Sequence, residues 1–114
     1  MNDLAHRARG ISSLRDFLDL LESEGQAITW NERVTPEPDL RNIAVAASRD
    51  ANSAPAIIFD NMVGYPGKRT VVGVHGSWDN IALLLGRPKG TTIRELFFEI
   101  AGRWGDAEAQ ISYV

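Results

Sequence analysis

The sequence predicts a mixed α/β (α+β) fold, one small domain in which helices pack on a short sheet in the order α-β-α-β-β-α-α. Apolar residues recur at helical spacing in four segments. A continuous apolar run, Ala56 to Phe59, stands between Pro55 and Asp60, as expected of a strand buried on both faces. A second run, RTVVGVH at residues 69–75, is rich in β-branched side chains. The chain of 114 residues is long enough for one core but not for two.

The first third of the domain is predicted to form a helix and a strand. Residues 1–11 show no clear pattern and are assigned to a polar N-terminal segment. A helix capped by Ser13 and ended by Gly25 follows. Its apolar stripe has the spacing i, i+3, i+4, i+7 and comprises Leu14, Phe17, Leu18 and Leu21. Residues 26–30 then form a short strand with Ile28 and Trp30 on one face.

The second helix is predicted from Pro38 to Asp50. Pro36 and Pro38 favour its entrance, because proline is excluded from a helix interior and extends the residue before it. The helix carries a stripe of mainly small side chains, which suits close packing on a sheet: Leu40, Ile43, Ala44 and Ala47.

The two central strands are joined by turn residues, among them Gly64, Tyr65, Pro66 and Gly67. Gly73 inside the second strand indicates a bulge or a close backbone approach. A connection of about nine residues is long for a hairpin. The sequence therefore leaves open whether these strands pair directly or whether the loop carries a functional surface.

Two helices follow. Ser77 caps the first, which ends at Gly86 and presents Trp78, Ile81 and Leu85 on its apolar face. Thr92 and Glu95 form a capping box that opens the second. Its stripe is predicted to comprise Ile93, Leu96, Phe97, Ile100 and Trp104, and Gly105 ends it. The domain thus spans residues 12–105, and a tail of residues 106–114 with the β-prone ending ISYV leads to a missing domain or a partner.

Composition excludes several classes of function. The net charge is −3, with 12 scattered basic residues among 15 acidic ones, which argues against nucleic acid as the main partner. There is no cysteine, and His6 and His75 lack metal-binding spacing, so a zinc site is not expected. No apolar run reaches the length of about 20 residues that a membrane helix needs. The N-terminus lacks a signal-peptide pattern, so no membrane association and a cytoplasmic location are expected.

No catalytic, cofactor-binding or metal-binding residue is predicted. The glycines at 64, 67, 73 and 76 match no phosphate-loop spacing and are interpreted as turn and bulge residues. His75 lies at a strand end before a helix cap, where ligands often bind, but a packed histidine is the simpler interpretation. Asp60 is interpreted as the start of an Asx-turn in preference to a base or metal ligand. A small hydrolase using His75 and Asp60 is the least favoured hypothesis.

The remaining charged and aromatic residues also have structural interpretations. Lys68 and Arg69 could bind an anion, although a charge pair at a strand edge is more usual. Trp30, Trp78 and Trp104 are predicted core anchors. The apolar face of the last helix, Phe98 beside it and the ISYV ending together exceed what a small sheet would cover. This surplus predicts a domain that docks on further chain or on a partner subunit.

The order of these motifs resembles the N-terminal domain of the UbiD-type, prenylated-FMN-dependent decarboxylases. The most specific part is the pattern P-A-apolar-apolar-F-D-N-x-x-G-Y-P-G, which occupies residues 55–67. The following strand with Gly73 and the helix end ALLLG at Gly86 agree in spacing. The resemblance extends from Ser12 to Gly86.

The resemblance implies reversible decarboxylation of an aromatic or α,β-unsaturated carboxylic acid on prenylated FMN, with a divalent metal and potassium holding the cofactor phosphate. It implies homo-oligomers, with catalytic, flavin and metal residues in later domains that have no counterpart here. The matched motif would then be structural, with Asn61 and Tyr65 capping turns and Gly64 and Gly67 supplying positive φ.

Two hypotheses follow. The first is an N-terminal domain or small subunit of a UbiD-like decarboxylase, which binds no cofactor alone and is active only with the remaining domains or a partner subunit. The second is a free-standing α/β binding or regulatory module without catalytic activity, motivated by the series of complete, capped elements.

Overall fold

The computed structural model describes residues 3–105 and confirms a small mixed α/β domain. In chain order its elements are α1 (Asp3–Arg9), α2 (Leu14–Ser23), β1 (Ala27–Trp30), α3 (Arg41–Ala47), β2 (Ala56–Phe59), β3 (Thr70–Val72), α4 (Trp78–Leu84) and α5 (Ile93–Trp104). A helical turn at Pro36–Leu40, interrupted by an extended Glu37, leads into α3. No helix in this part of the chain has the length and apolar content to cross a membrane.

The three strands form one sheet in the order β1-β2-β3. β1 runs parallel to β2, with Ile28 opposite Ile57. β3 pairs antiparallel with β2, with Ile58 opposite Val71, so the two central strands do form a hairpin despite their long connection. All four residues of β2 are buried, which confirms the strand predicted from the AIIF run.

The helices cover the two faces of the sheet. On one face, α2 and α4 pack with Ile58 around a core that contains Phe17, Leu21 and Leu83. On the other face, α3 and the turn before it cover Ile57 and Phe59. The alternation of side chains along β2 explains both layers, since Ile57 and Phe59 point one way and Ile58 points the other.

The short helix α1 was not predicted, because its sequence DLAHRAR has too few apolar residues to show a stripe. Leu4 and Ala8 nevertheless pack against the core beside α2. Arg7 donates from Nη2 to Ser23 Oγ at 2.6 Å and lies 3.6 Å from Glu24. The predicted polar segment of residues 1–11 is therefore partly helical, held by contacts with residues distant in the chain.

Gly86 allows α1 to lie close to the end of α4. Its φ is +78°, and a Cβ at this position would lie 3.0 Å from Ala5 Cα. A residue with a side chain here would therefore have a strained backbone conformation, and its Cβ would clash with α1. Gly86 does end α4, as predicted, and it also makes room for α1.

Two elements are shorter than predicted. α3 ends at Ala47 instead of Asp50, because the Asp50 side chain accepts hydrogen bonds from the backbone N–H groups of Asn52 and Ser53 and starts a turn. β3 ends at Val72 instead of His75, because Gly73 takes φ +71° and packs against the backbone before β2. A Cβ on Gly73 would lie 3.7 Å from Pro55 O, an ordinary contact distance, so the positive φ and not a close approach is what favours glycine here.

The buried face of α4 differs from the prediction. Trp78, Ile81 and Leu85 are only half-buried, whereas Asn80 and Leu83 are fully enclosed. Apolar spacing could not identify this face, because a polar residue lies at its centre. Asn80 is satisfied there by hydrogen bonds with residues before and after the hairpin.

α5 has the predicted bounds and the predicted capping box between Thr92 and Glu95. Only Leu96 of its apolar stripe is buried. Trp104 is 85% exposed, so its interpretation as a core anchor was wrong. α5 contacts the rest of the domain mainly through α4, which leaves exposed the surplus apolar face that the sequence predicts for this helix. The ISYV ending lies outside the described residues.

Candidate functional site

The two residues of the hydrolase hypothesis lie at opposite ends of the sheet. Asp60 follows the C-terminal end of β2, whereas His75 follows β3, which runs antiparallel to β2. The His75 ring stacks on Phe17, with a centroid distance of 5.7 Å and an interplanar angle of 23°. His75 is exposed and stacks on Phe17, and the structure does not bring it together with Asp60.

Asp60 and Asn61 join the ends of the two parallel strands. Asn61 Nδ2 donates to the Asn31 carbonyl at 3.1 Å, 30 residues away, in place of the local turn cap that the sequence suggested. With its amide oriented to donate, Asn31 lies 2.9 Å from Asp60 Oδ2. The backbone of Val34 exchanges hydrogen bonds with Asn61 and Val63 just beyond. This part of the motif is structural, as the resemblance implied, although the residues act across strands.

The turn after this motif has the predicted backbone. Gly64 and Gly67 have φ values of +87° and +73°. Tyr65 contributes its backbone, donating to Met62 O and accepting from Lys68 N, while its side chain is exposed. Lys68 and Arg69 follow this turn and lie directly before β3.

Lys68 and Arg69 are not a simple charge pair at a strand edge. Together with Arg15 of α2 they line a groove of about 410 Å³ between the start of α2 and β3. Its remaining lining is mostly apolar and consists of Leu14, Leu18, Ile58, Gly67, Thr70 and Val71. We call it the cationic groove. No sequence pattern connects Arg15 with residues more than 50 positions later in the chain.

A second groove, of about 290 Å³, lies between α3 and the hairpin. Ile57 and Val72 contribute the sheet surface, and Ala44 and Ala47 the helix surface. The lining has no charged side chain, so this groove offers packing surface without a group that could perform chemistry.

The outer face of α5 carries several exposed apolar side chains. We call it the α5 face, and its exposed members are Ile93, Phe97, Phe98, Ile100 and Trp104. Phe97 and Phe98 are 65% and 59% exposed. Their rings meet edge to face, and the Arg94 guanidinium lies 5.6 Å from the Phe98 ring centre. Aromatic residues with an arginine among them are typical of protein interfaces.

One ion pair and one hydrogen bond connect α5 to the end of α4 and the turn after it. Glu99 accepts hydrogen bonds from Arg87 and Arg103, both at 2.8 Å. Arg103 Nη2 also donates to the Leu85 carbonyl at 2.8 Å. These hydrogen bonds from Arg87 and Arg103 hold the pKa of Glu99 below its ordinary value. The exposed apolar face therefore belongs to a helix that is held in position.

The other shifted carboxyl groups have structural roles. Hydrogen bonds from Ser12 lower the pKa of Asp16 at the start of α2. Hydrogen bonds from Ser53 and Asn52 lower the pKa of Asp50 in the turn after α3. Neither carboxyl is poised to transfer a proton, because each is held in its charged form.

The described residues do not fit a divalent metal bound to the phosphate group of a flavin. Among residues 3–105, no group of three His, Asp or Glu side chains could hold a metal ion. The cationic groove has no acidic lining residue, so it does not supply ligands for a metal that bridges a phosphate. No step of a flavin reaction can be assigned to this part of the chain.

Comparisons with known proteins agree with the fold. The family model described as the 3-octaprenyl-4-hydroxybenzoate carboxy-lyase N-terminal domain matches residues 18–100. A phenolic acid decarboxylase of Bacillus subtilis is 50% identical over 90 residues, covering 79% of this chain and 19% of its own length. One from Sedimentibacter hydroxybenzoicus is 42% identical over 97 residues, covering 85% of this chain and 20% of its own length.

Solved structures show the same relationship. The vanillic acid decarboxylase of Sedimentibacter hydroxybenzoicus in its open form matches with a TM-score of 0.79 and 42% identity, covering 84% of this chain and 20% of that one. The apo 3,4-dihydroxybenzoic acid decarboxylase of Klebsiella pneumoniae matches with a TM-score of 0.65 and 30% identity, covering 82% and 20%. The chain thus spans about a fifth of the length of these relatives. It belongs to the UbiD family, and what it carries is the N-terminal domain.

Proposed function

We propose that this domain is the non-catalytic N-terminal part of a UbiD-type decarboxylase, either as a domain or as a small subunit. The complete enzyme would act reversibly on an aromatic or α,β-unsaturated carboxylic acid. The observation that carries the proposal is the α5 face, a row of exposed aromatic and aliphatic side chains on a helix held in position. Such a face is typical of an interface with a larger body.

In this proposal the domain contributes rigidity and a docking surface. The doubly buried strand β2, the enclosed Asn80 and the ion pairs of Glu99 hold α4 and α5 in a defined orientation. Prenylated FMN, with a divalent metal and potassium at its phosphate, would supply the chemistry of decarboxylation from other domains. The chain's own residues would position those domains and exclude water from the surface that they share.

The names of the relatives support an aromatic acid as the substrate class. They are described as decarboxylases of phenolic, vanillic and 3,4-dihydroxybenzoic acids. We therefore favour an aromatic acid over a simple α,β-unsaturated one. We also propose a cytoplasmic, oligomeric assembly, which rests on the family resemblance.

A free-standing binding module is the second candidate. The observation in its favour is that the caps at Ser13, Ser77 and Thr92 all form their hydrogen bonds within the domain. Complete capping is expected of a unit that folds alone, and it is equally compatible with a domain of a larger enzyme. The exposed α5 face favours the first candidate.

Activity distinguishes the two candidates. We expect the chain alone to release no CO₂ from 4-hydroxybenzoate, vanillate or cinnamate. Combined with the remaining domains of a UbiD-type enzyme and prenylated FMN, it should restore the activity that those domains lack without it. The proposal is wrong if the remaining domains are equally active without this chain.

A further inference from the structure

The cationic groove lies between α2 and an edge strand. Among residues 3–105, β3 lies at one edge of the sheet order β1-β2-β3, and Thr70 and Val71 of this strand line the groove. Leu18 and Ile58 lie beneath the groove and are buried, so its accessible apolar surface comes mainly from Val71 and Leu14. Leu14, which is 54% exposed, lies at the rim. The groove therefore offers an apolar surface in contact with solvent.

The charged lining of the groove has a single sign. Arg15, Lys68 and Arg69 contribute three cations, and no lining residue is acidic. Within residues 3–105 none of the three forms an ion pair, although Asp19 lies one helical turn from Arg15. Arg7, Arg41, Arg87 and Arg103 have carboxylate partners. Other cations of the described residues also form no ion pair, namely Arg9, Arg33, Arg49, Lys89 and Arg94. The clustering of Arg15, Lys68 and Arg69 therefore distinguishes the groove. In a chain with a net charge of −3, three unpaired cations beside one apolar floor form a localised anion-attracting site.

The combination of floor and rim defines the ligand chemistry. An apolar floor favours a flat hydrocarbon body, and guanidinium groups favour a carboxylate, which they can bind through two hydrogen bonds. The groove volume of about 410 Å³ falls within the range of small-molecule sites, about 300–1,000 Å³. A small aromatic carboxylate meets all three conditions.

We propose that the cationic groove binds an aromatic carboxylate, with the ring against Leu14 and Val71 and the carboxylate at Arg15 and Arg69. The choice of an aromatic acid over another amphiphilic anion rests on the proposed function. The groove would hold the acid at the surface of the N-terminal domain, apart from any chemical step.

The test is a titration of the complete 114-residue chain with benzoate, followed by two-dimensional ¹H–¹⁵N NMR. We expect shifts concentrated at the backbone amides of Leu14, Gly67, Thr70 and Val71. Arg15→Gln and Arg69→Gln should each weaken binding by about tenfold, since each removes a charge-assisted hydrogen bond. Arg49→Gln is the matched control, because Arg49 is an exposed cation outside the groove, and it should leave binding unchanged.

Two further ligands separate specific binding from general attraction. Benzamide lacks the charge and should bind about tenfold more weakly than benzoate. Inorganic phosphate lacks the apolar body and should not compete at equal concentration. Shifts outside the groove, equal competition by phosphate, or binding unaffected by both arginine variants would overturn the proposal. Binding of a glutamate-rich peptide without binding of benzoate would also overturn it, in favour of an acidic protein partner.

The binding experiment is independent of the decarboxylase assay. Because Arg15 and Arg69 are exposed, their variants should keep the unfolding midpoint of the parent chain in urea. If benzoate fails to bind while the chain still restores CO₂ release to the remaining domains, the groove proposal fails and the proposed function stands. If benzoate binds but the chain does not restore CO₂ release, the proposed function fails and the groove proposal stands.

Discussion

Gln26 and Asn80 are 54 residues apart in the chain and are joined by a side-chain hydrogen bond of 2.9 Å inside the domain. Gln26 Nε2 also donates to the Ser53 carbonyl, and Asn80 Nδ2 donates to the carbonyls of Gly73 and Val74. Both side chains are buried. One polar pair therefore ties the start of β1, the loop before β2, the end of the hairpin and α4 together.

Replacing the buried amide side chain of Asn80 should strongly destabilise the domain. We expect Asn80→Ala to lower the free energy of unfolding by about 3 kcal/mol, because the Gln26 amide and two backbone carbonyls lose a partner away from water. Urea unfolding followed by circular dichroism measures this change. Asn52→Ala is the control, since Asn52 is exposed, and a loss of similar size there would contradict the assigned role of Asn80.

Two glycines provide a matched test of the contact between α1 and α4. Gly86→Ala should destabilise the domain by about 1–2 kcal/mol, because it combines a positive φ with a clash against α1. Gly102→Ala should stabilise it by about 0.5–1 kcal/mol, because Gly102 lies inside α5 with open space around it. The midpoint temperature of thermal unfolding should fall for Gly86→Ala and rise for Gly102→Ala. Equal shifts of the same sign would refute the close approach at Gly86.

The ion pairs of Glu99 should make stability depend on pH. The folded-state pKa of Glu99 is lowered, so the stabilisation is present above the unfolded pKa and is lost as the pH falls through the folded pKa. We expect Glu99→Gln to cost about 1 kcal/mol near neutral pH and progressively less as the pH falls below the ordinary range of a glutamate. Urea titrations across this range measure the difference. Glu22→Gln, on the exposed face of α2, should show little effect at any pH, and a pH-independent effect of Glu99→Gln would count against the pairing.

The α5 face should matter for assembly and not for folding. The double variant Phe97→Ser/Trp104→Ser removes two exposed side chains, so unfolding of the chain should change by less than about 0.5 kcal/mol. The variant should fail to co-purify with the remaining UbiD-type domains.

Leu96→Ala on the same helix is the opposite case. Leu96 is fully buried, and its truncation should cost about 2–4 kcal/mol. If the double variant instead unfolds the chain, the α5 face would be part of this domain's own core.

The elements that the sequence predicted well are those defined by local patterns. β2 is a continuous apolar run, α2 has a complete stripe, and Thr92 with Glu95 forms a capping box. The misses depend on contacts between distant segments. α1 has no stripe of its own and is held by Arg7 and by the space at Gly86. The buried face of α4 has a polar centre at Asn80, which apolar periodicity cannot detect.

The candidate surfaces were only partly predictable. The apolar surplus of the last helix was evident from spacing, whereas the exposure of Trp104 depends on how α5 lies against α4. The cationic groove joins Arg15 to Lys68 and Arg69 through the packing of α2 beside β3. No spacing rule connects these positions, because their proximity is a consequence of the sheet order.

The most direct test of the central proposal is native mass spectrometry of this chain purified from its own source, with an absorption spectrum of the same sample. The account predicts an assembly several times heavier than the 12.6 kDa of the chain, with flavin-like absorbance. A colourless species at the mass of the single chain would contradict it and would favour a free-standing binding module.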